Sequence, residues 1–224
     1  MNDSWKTRPV TPKPKDSDGP PGWYSRGYIP HFDGGPVTQT LVLRLFDSLP
    51  QTVVERWKEE LSRKPEKEAE LELRRRVDAY LDKGTGSAFM KRPEIADKVQ
   101  ESILHFDGER YQLHAWIVMP NHVHVLMTPE PEFELGDILH SWKSYSANQC
   151  NKLLGRTGPF WQKEGFDRAI RNERHYQNSL IYIENNPVKA GLCKTPEDWP
   201  WSSAAARALG AHASSVPGLS DEEN

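Results

Sequence analysis

Cysteine is nearly absent from this chain: Cys150 and Cys193 are the only two in 224 residues, and they stand far apart in the sequence. Two unclustered cysteines exclude a disulfide framework and a zinc ribbon, and they fit a reducing compartment. Long apolar runs are also missing, and none approaches the roughly 20 residues a membrane-spanning helix needs. The first residues lack the apolar core of a signal peptide. The expectation is a soluble, cytoplasmic protein with no membrane partner. Charge of one sign is scarce as well: 29 Lys and Arg stand against 32 Asp and Glu, a formal net charge of −3. That balance argues against a uniformly basic binder of nucleic acid but leaves room for a local basic patch. Acidic residues gather between Glu55 and Glu72 and at Asp221 to Glu223, so the second half is the more basic one. The chain has no internal repeat, and its length suits one good-sized domain with appendages or two small ones.

What is present is distributed unevenly. Residues 1–22 are rich in Pro, Lys, Asp and Gly, a composition that cannot bury a core and reads as a disordered arm. Trp23 to Asp33 is an aromatic and basic patch around Arg26, readable as a base-stacking surface or as a loop pinned by its aromatics. Val37 to Phe46 reads as a strand, Thr52 to Ser62 as a helix, and Lys64 to Leu81 as a second, highly charged helix with Leu71, Leu73, Val77 and Tyr80 as its apolar members. The charges of that helix read as a solvated face, with Arg74-Arg75-Arg76 as the alternative phosphate contact. Pro93 opens a helix with Ile95, Val99 and Ile103 at four-residue spacing. Tyr111 to Val118 and His122 to Thr128 read as a hairpin across a Pro-Asn turn. Leu135 to about Leu154 is an amphipathic helix, Phe160 to Ile170 an extended segment, and Arg174 to Asn185 a last helix stopped by Asn186-Pro187. The tail around Trp199-Pro-Trp201 is expected to pack back and to fray after about Ala211. This order predicts an α+β fold, a four-stranded antiparallel ferredoxin-like or RRM-like sheet with helices on one face.

Two places carry chemistry. His122 and His124 sit two apart in a strand, so both imidazoles point to one face while Val123 and Val125 point to the other. A pair placed this way can hold one divalent metal, or can be two ordinary satisfied histidines. In the last helix Tyr176, Leu180 and Ile183 form the core-facing stripe. Tyr182 lies off that stripe, with Asn178 and Asn186 as its i±4 neighbours, and is expected to face away from the packed side toward something polar. A tyrosine oxygen can attack phosphorus as it loses its proton. A metal on the two histidines could stabilise the developing charge, with Asn186 as an oxygen donor if the ion is Mg2+ or Mn2+.

At this point the sequence resembles a known family. Met119-Pro-Asn-His-Val-His124 resembles the histidine–hydrophobic–histidine motif of HUH single-strand nucleases. Tyr182-Ile-Glu-Asn-Asn-Pro-Val-Lys-Ala-Gly-Leu192 resembles the tyrosine segment of the REP-associated tyrosine transposases, relatives of the single-tyrosine transposases of bacterial insertion sequences. Gly158 to Gln162, Asp167 to Arg171, Asp198 to Ser202 and Gly22 to Asp33 are similar to that group too, so the resemblance spans about residues 22–203. It implies an HUH-type domain over 23–203 with a charged helical insertion near 64–81 and a tail over 204–224. It implies a transposase that binds single-stranded DNA beside a hairpin. The tyrosine matching Tyr182 would form a 5′-phosphotyrosine and release a 3′-OH, with Mg2+ or Mn2+ held by residues matching His122, His124 and Asn186. Asn186 stands where insertion-sequence relatives commonly carry Gln. Members work as monomers or homodimers, in the bacterial cytoplasm and at the nucleoid.

Three other readings compete. Histidine-triad hydrolases need a third histidine where this chain has Leu126, and a zinc hydrolase would have to recruit His114 without a recognisable signature. A replication or conjugation initiator of the wider HUH group would be followed by a helicase region. An RRM-like module, or a domesticated hairpin-binding regulator, would bind nucleic acid without cutting it and would tolerate loss of the Tyr182 hydroxyl. Lys143, Lys152, Arg168, Arg171 and Lys189 are the candidate phosphate contacts, with Arg26 for base recognition.

Overall fold

The computed structural model describes residues 23–25, 30–32, 36–163 and 165–210, with backbone alone for 23–25, 30–32, 67 and 166. The arm expected over 1–22, Arg26, and the tail beyond 210 lie outside the described residues. Among the described residues no helix is long and apolar enough to cross a membrane.

The main sheet has four strands: β3 (Gln39–Arg44), β4 (Tyr111–Val118), β5 (His122–Pro129) and β6 (Phe166–Ala169). They lie in the order β4-β5-β3-β6, and every neighbouring pair is antiparallel. This is the ferredoxin-like arrangement the element order predicts. A separate two-stranded ribbon joins β1 (Trp23–Ser25) to β2 (Pro30–Phe32). Strand β3 is central and buried along its whole length, which suits its run of Leu, Val and Thr. The extended segment expected over Phe160 to Ile170 is shorter as a strand. Its start makes only an isolated bridge, Leu45 to Trp161, and Gln162 is held by its backbone N–H donating to the Arg44 carbonyl at 2.8 Å.

Both faces of this sheet are covered, where the sequence suggests one. Helices α3 (Pro93–Leu104) and α4 (Leu135–Leu153) bury Ile95, Val99, Ile103, Ile138 and Trp142 against Leu41, Leu43, Val123 and Val125. On the opposite face α5 (Glu173–Glu184) sets Tyr176, Leu180 and Ile183 on Ala115, Ile117 and Leu126. The reason is local. A register shift between Leu113 and Ala115 turns β4 over, so Leu113 and Trp116 reach one core while Ala115 and Ile117 reach the other. A strand with apolar side chains on both sides must be covered on both sides.

The charged region after β3 also lies on the α5 side. Leu49, helix α1 (Gln51–Leu61) through Val53, Val54 and Trp57, and helix α2 (Glu66–Leu81) through Val77 and Leu81 form one cluster with Val42 of β3. Leu71 is not part of that contact, being 64% exposed. The turn after α2 returns through Gly86, whose φ of +81° favours glycine and where a Cβ would meet the Asp47 carbonyl oxygen at 2.8 Å.

Helix α5 ends before Asn186-Pro187 as expected, but it is not the last helix. A further helical turn, α6 (Asn186–Lys189), begins there, because proline fits the first turn of a helix, where its missing N–H is not needed. The Trp199-Pro-Trp201 segment packs back on the edge strand. Trp199 Nε1 donates to the Val118 carbonyl and Val118 N–H donates to the Trp201 carbonyl, both at 2.9 Å. Helix α7 (Ser203–Ala208) follows, capped by the Ser202 hydroxyl.

Candidate active site

Strand alternation determines the composition of the site. On β5, His122 and His124 share a face with Leu126, and across the register they stand opposite Arg44 and Val42 of β3. His122 and His124 are 0% and 4% exposed, and their ring centroids are 4.8 Å apart. Asn121 Oδ1 lies 2.7 Å from His122 Nδ1, and Asn121 Nδ2 donates to the Thr85 carbonyl at 2.9 Å. That contact turns the Nε2 side of His122 inward. The Nε2 atoms of both histidines are buried without a hydrogen-bond partner.

Burial holds both rings neutral. His122 lies well below the ordinary histidine range, first from desolvation and then from the neighbouring His124, Arg44 and Lys189. His124 is pushed down to about 3, by desolvation first and then by the charges of Arg74 and Lys189. A neutral imidazole with an unpartnered lone pair is what a metal ligand requires.

Tyr182 comes to this same place. Its ring meets that of His124 at a centroid distance of 5.7 Å, and Lys189 Nζ stands 5.6 Å from the centroid of the tyrosine ring. The reading that Tyr182 turns away from the packed side is therefore corrected. It faces polar groups, but they are enclosed between α5, β5 and α2, and Tyr182 also packs on the Leu126 and Ile183 core. The tyrosine hydroxyl is buried and completes no hydrogen bond of standard geometry, although the Asp78 carboxylate is next to it. Burial, and then the charge of Asp78, push the phenol above its ordinary range. Asn186 is fully buried, and both its amide oxygen and its amide nitrogen are unpartnered.

Two imidazole nitrogens and an amide oxygen, all buried and unpartnered, fit a divalent ion, since each of these atoms otherwise loses its hydration without compensation. Among the described residues no group of three or more His, Cys, Asp and Glu side chains is placed to hold a metal, so such a site would depend on the amide. His114 does not join it. That ring sits on the far part of β4, with Nε2 2.7 Å from the Thr128 hydroxyl and its face toward Tyr176.

The candidate phosphate contacts separate into two groups. Arg168 pairs with Thr40 in the register and so shares the histidine face. Arg168 is lowered from the usual arginine range by burial first and then by Arg74 and Arg171. His175 is lowered too, by burial and then by Arg168, Arg74 and Arg171. Three cations, Arg74, Arg168 and Arg171, thus crowd together beside the site around a neutral His175. Lys189 is in the site but forms an ion pair with Asp82. Lys143 and Lys152 belong to α4 on the other side of the sheet, where Lys143 Nζ donates to the carbonyls of Gln162 and Lys163 at 3.0 and 3.1 Å.

Sequence reading missed Asp78 and Asp82, and offered Arg74 only as an alternative phosphate contact alongside Arg75 and Arg76. The available signal was the i, i+4, i+8 spacing of Arg74, Asp78 and Asp82 next to the Val77 and Leu81 stripe. Arg75 and Arg76, by contrast, pair with Glu72 and Glu60 on the outer surface.

Comparison with known proteins shows what the chain is similar to. Residues 89–186 match the family described as transposase IS200 like. The REP-associated tyrosine transposase of Escherichia coli K12 is 32% identical over 94 residues, covering 42% of this chain and 54% of that protein. A Haemophilus influenzae relative is 30% identical over 96 residues, covering 38% of this chain and 54% of its own. The chain thus spans about half the length of these relatives. A solved REP-associated tyrosine transposase bound to a REP hairpin is 22% identical with a TM-score of 0.48, over 90% of this chain and 96% of that one.

Proposed function

We propose, from the match of residues 89–186 to the IS200-like transposase family, that the chain is a metal-dependent nuclease and strand transferase of that kind, acting on single-stranded DNA beside hairpins. Tyr182 is the nucleophile. Its Oη attacks a phosphodiester, the bond from phosphorus to the 3′-oxygen breaks, and the strand is left as a 5′-phosphotyrosine with a free 3′-OH. A 3′-OH attacking that adduct rejoins the strand without an external energy source. His122, His124 and Asn186 would hold Mg2+ or Mn2+, which when bound supplies charge to polarise the scissile phosphate. Arg168 and Arg171, with Lys189 nearer the tyrosine, neutralise the phosphates of the strand.

The observation that carries this reading is the meeting of His122, His124 and Tyr182 on one enclosed face with the reactive atom of each buried and unpartnered. The hairpin follows from kinship with REP-associated proteins. Such an enzyme would work in the bacterial cytoplasm at the nucleoid, as a monomer or a homodimer.

The test is a covalent-adduct assay. Purified protein is incubated with Mg2+ or Mn2+ and labelled single strands carrying hairpins from its own genome, then separated on a denaturing gel. The expected band is metal-dependent and is lost in Tyr182→Phe and His122→Ala. Hairpin binding with no adduct in either metal would instead identify a hairpin-binding regulator.

A further inference from the structure

Helix α2 lies outside the residues matched by the family, yet it forms one wall of the site. Arg74, Asp78 and Asp82 recur at four-residue spacing and so form one stripe along the helix. That stripe follows α5 and α6 in step. Arg74 acts on His175 at the start of α5, Asp78 neighbours Tyr182, and Asp82 accepts from Lys189 Nζ at 2.8 Å. The helix cannot easily swing away, because Val77 and Leu81 on its adjoining face are buried against Val42, the cross-strand partner of His124. The return turn is tied in too, through the Thr85 carbonyl that accepts from Asn121.

Within this wall Asp78 is the carboxylate within hydrogen-bonding reach of the tyrosine. Asp82 is engaged through Oδ2 by Lys189; its Oδ1 is buried without a partner, and it acts on Tyr182 through charge alone. Glu184, the acidic residue nearest in sequence to Tyr182, turns to α7, where it accepts from Ser203 Oγ at 2.6 Å and Arg207 at 2.5 Å. Asp78 remains, beside a buried hydroxyl that has no completed hydrogen bond. A phenol in water has a pKa near ~10, and enclosure makes ionisation harder still, so attack on phosphorus needs a proton acceptor within reach.

We propose that Asp78 is a catalytic residue of the strand-cleavage reaction, holding the Tyr182 hydroxyl and receiving its proton as Oη attacks phosphorus. This rests on the function proposed above. In cleavage the Oη–phosphorus bond forms, the phosphorus–O3′ bond breaks, the phenol proton passes to Asp78, and the departing 3′-oxygen takes a proton from water. In rejoining the 3′-OH gives its proton to water as it attacks, and Asp78 returns a proton to Oη. Burial, its largest influence, already raises Asp78 above the usual carboxylate range, which makes it a better acceptor than an exposed aspartate. The charged helix is thereby part of the catalytic apparatus and not a solvated appendage.

The experiment uses the full chain as wild type, Asp78→Asn, Asp78→Glu and Tyr182→Phe, with Mn2+ and a labelled hairpin-bearing single strand that wild type converts to adduct. Three quantities are read: DNA affinity by fluorescence anisotropy, Mn2+ affinity by calorimetry, and the rate of adduct formation at saturating DNA and metal. Asp78→Asn is expected to bind both partners within about twofold of wild type while its adduct rate falls on the order of 100-fold or more. Asp78→Glu, which restores a carboxylate, should recover part of that rate. An Asp78→Asn rate within threefold of wild type would overturn the assignment. So would loss of Mn2+ binding, which would make Asp78 a metal ligand, or equal losses in Asn and Glu variants, which would make it structural. If wild type itself forms no adduct with any strand, the proposed function fails first, and this inference with it.

Discussion

Asp82 of α2 and Lys189 of α6, 107 positions apart, form an ion pair of 2.8 Å that joins the charged helix to the tyrosine helix pair. The lysine side chain is 54% exposed and the aspartate 12%. Burial raises Asp82 from its usual range, and Lys189 opposes that shift. Removing the lysine leaves the more buried partner without compensation, but solvent around the lysine screens the pair. Lys189→Met is therefore expected to cost about 1 kcal/mol of stability in urea denaturation. The double variant with Asp82→Asn should cost less than the two single losses together. Strict additivity would show that the pair does not couple the two helices.

His122 and its neighbour Asn121 give a second prediction. Asn121 Oδ1 faces His122 Nδ1, which leaves Nε2 directed into the site, and the amide is itself fixed by the Thr85 carbonyl. Asn121→Ala keeps both histidines but frees the ring. Loss of such a supporting contact commonly weakens a metal site by about 10–100-fold. Mn2+ titration by calorimetry is expected to show a drop of that size, against complete loss for His124→Ala. An unchanged affinity in Asn121→Ala would mean that packing alone orients the ring.

The parts legible in the sequence were those governed by short periods. Two-residue alternation placed His122 and His124 on one face, and the helical stripe of Tyr176, Leu180 and Ile183 was correct. What periodicity does not carry is the partner of a charged face. Asp78 and Asp82 have the same local spacing as Glu72 and Arg76, which meet each other on the outside. Only the long-range seating of Val77 and Leu81 on Val42 tells them apart. The turn-over of β4 between Leu113 and Ala115 was invisible for a related reason. A bulge changes parity without changing composition, and with it the number of sheet faces that must be covered. Pro187 misled because proline ends one helix and begins the next equally well.

Acid should destabilise the protein through His114. Burial, its largest influence, lowers this histidine from its ordinary range, and the ring lies 2.7 Å from the Thr128 hydroxyl. A lowered pKa means that the unfolded chain takes up the proton first. The contribution is intact above the unfolded value of about 6.5 and is lost as the pH falls toward the folded one. Metal-free protein unfolded in urea at about pH 7.5 and about pH 5.5 should therefore be weaker at the lower value, with His114→Gln showing a smaller decline. A decline equal in both proteins would assign the acid sensitivity to other groups.

Arg168 and Lys143 are one cation on each side of the sheet, and DNA binding should tell them apart. Arg168 lies on the histidine face, crowded by Arg74 and Arg171, an arrangement of like charges that an approaching phosphate relieves. Lys143 points to the carbonyls of Gln162 and Lys163 and holds that segment against α4. Each phosphate contact on a single strand contributes about 0.7 to the slope of log affinity against log salt. Arg168→Ala is expected to weaken binding of a hairpin-bearing strand and to flatten that slope by about this amount, with little change in stability. Lys143→Ala should leave the slope alone and lower stability by about 1 kcal/mol. Anisotropy titrations across a salt series, paired with urea unfolding, separate the two effects. If Lys143→Ala flattened the slope and Arg168→Ala did not, the strand would have to run over the α3–α4 layer, away from Tyr182.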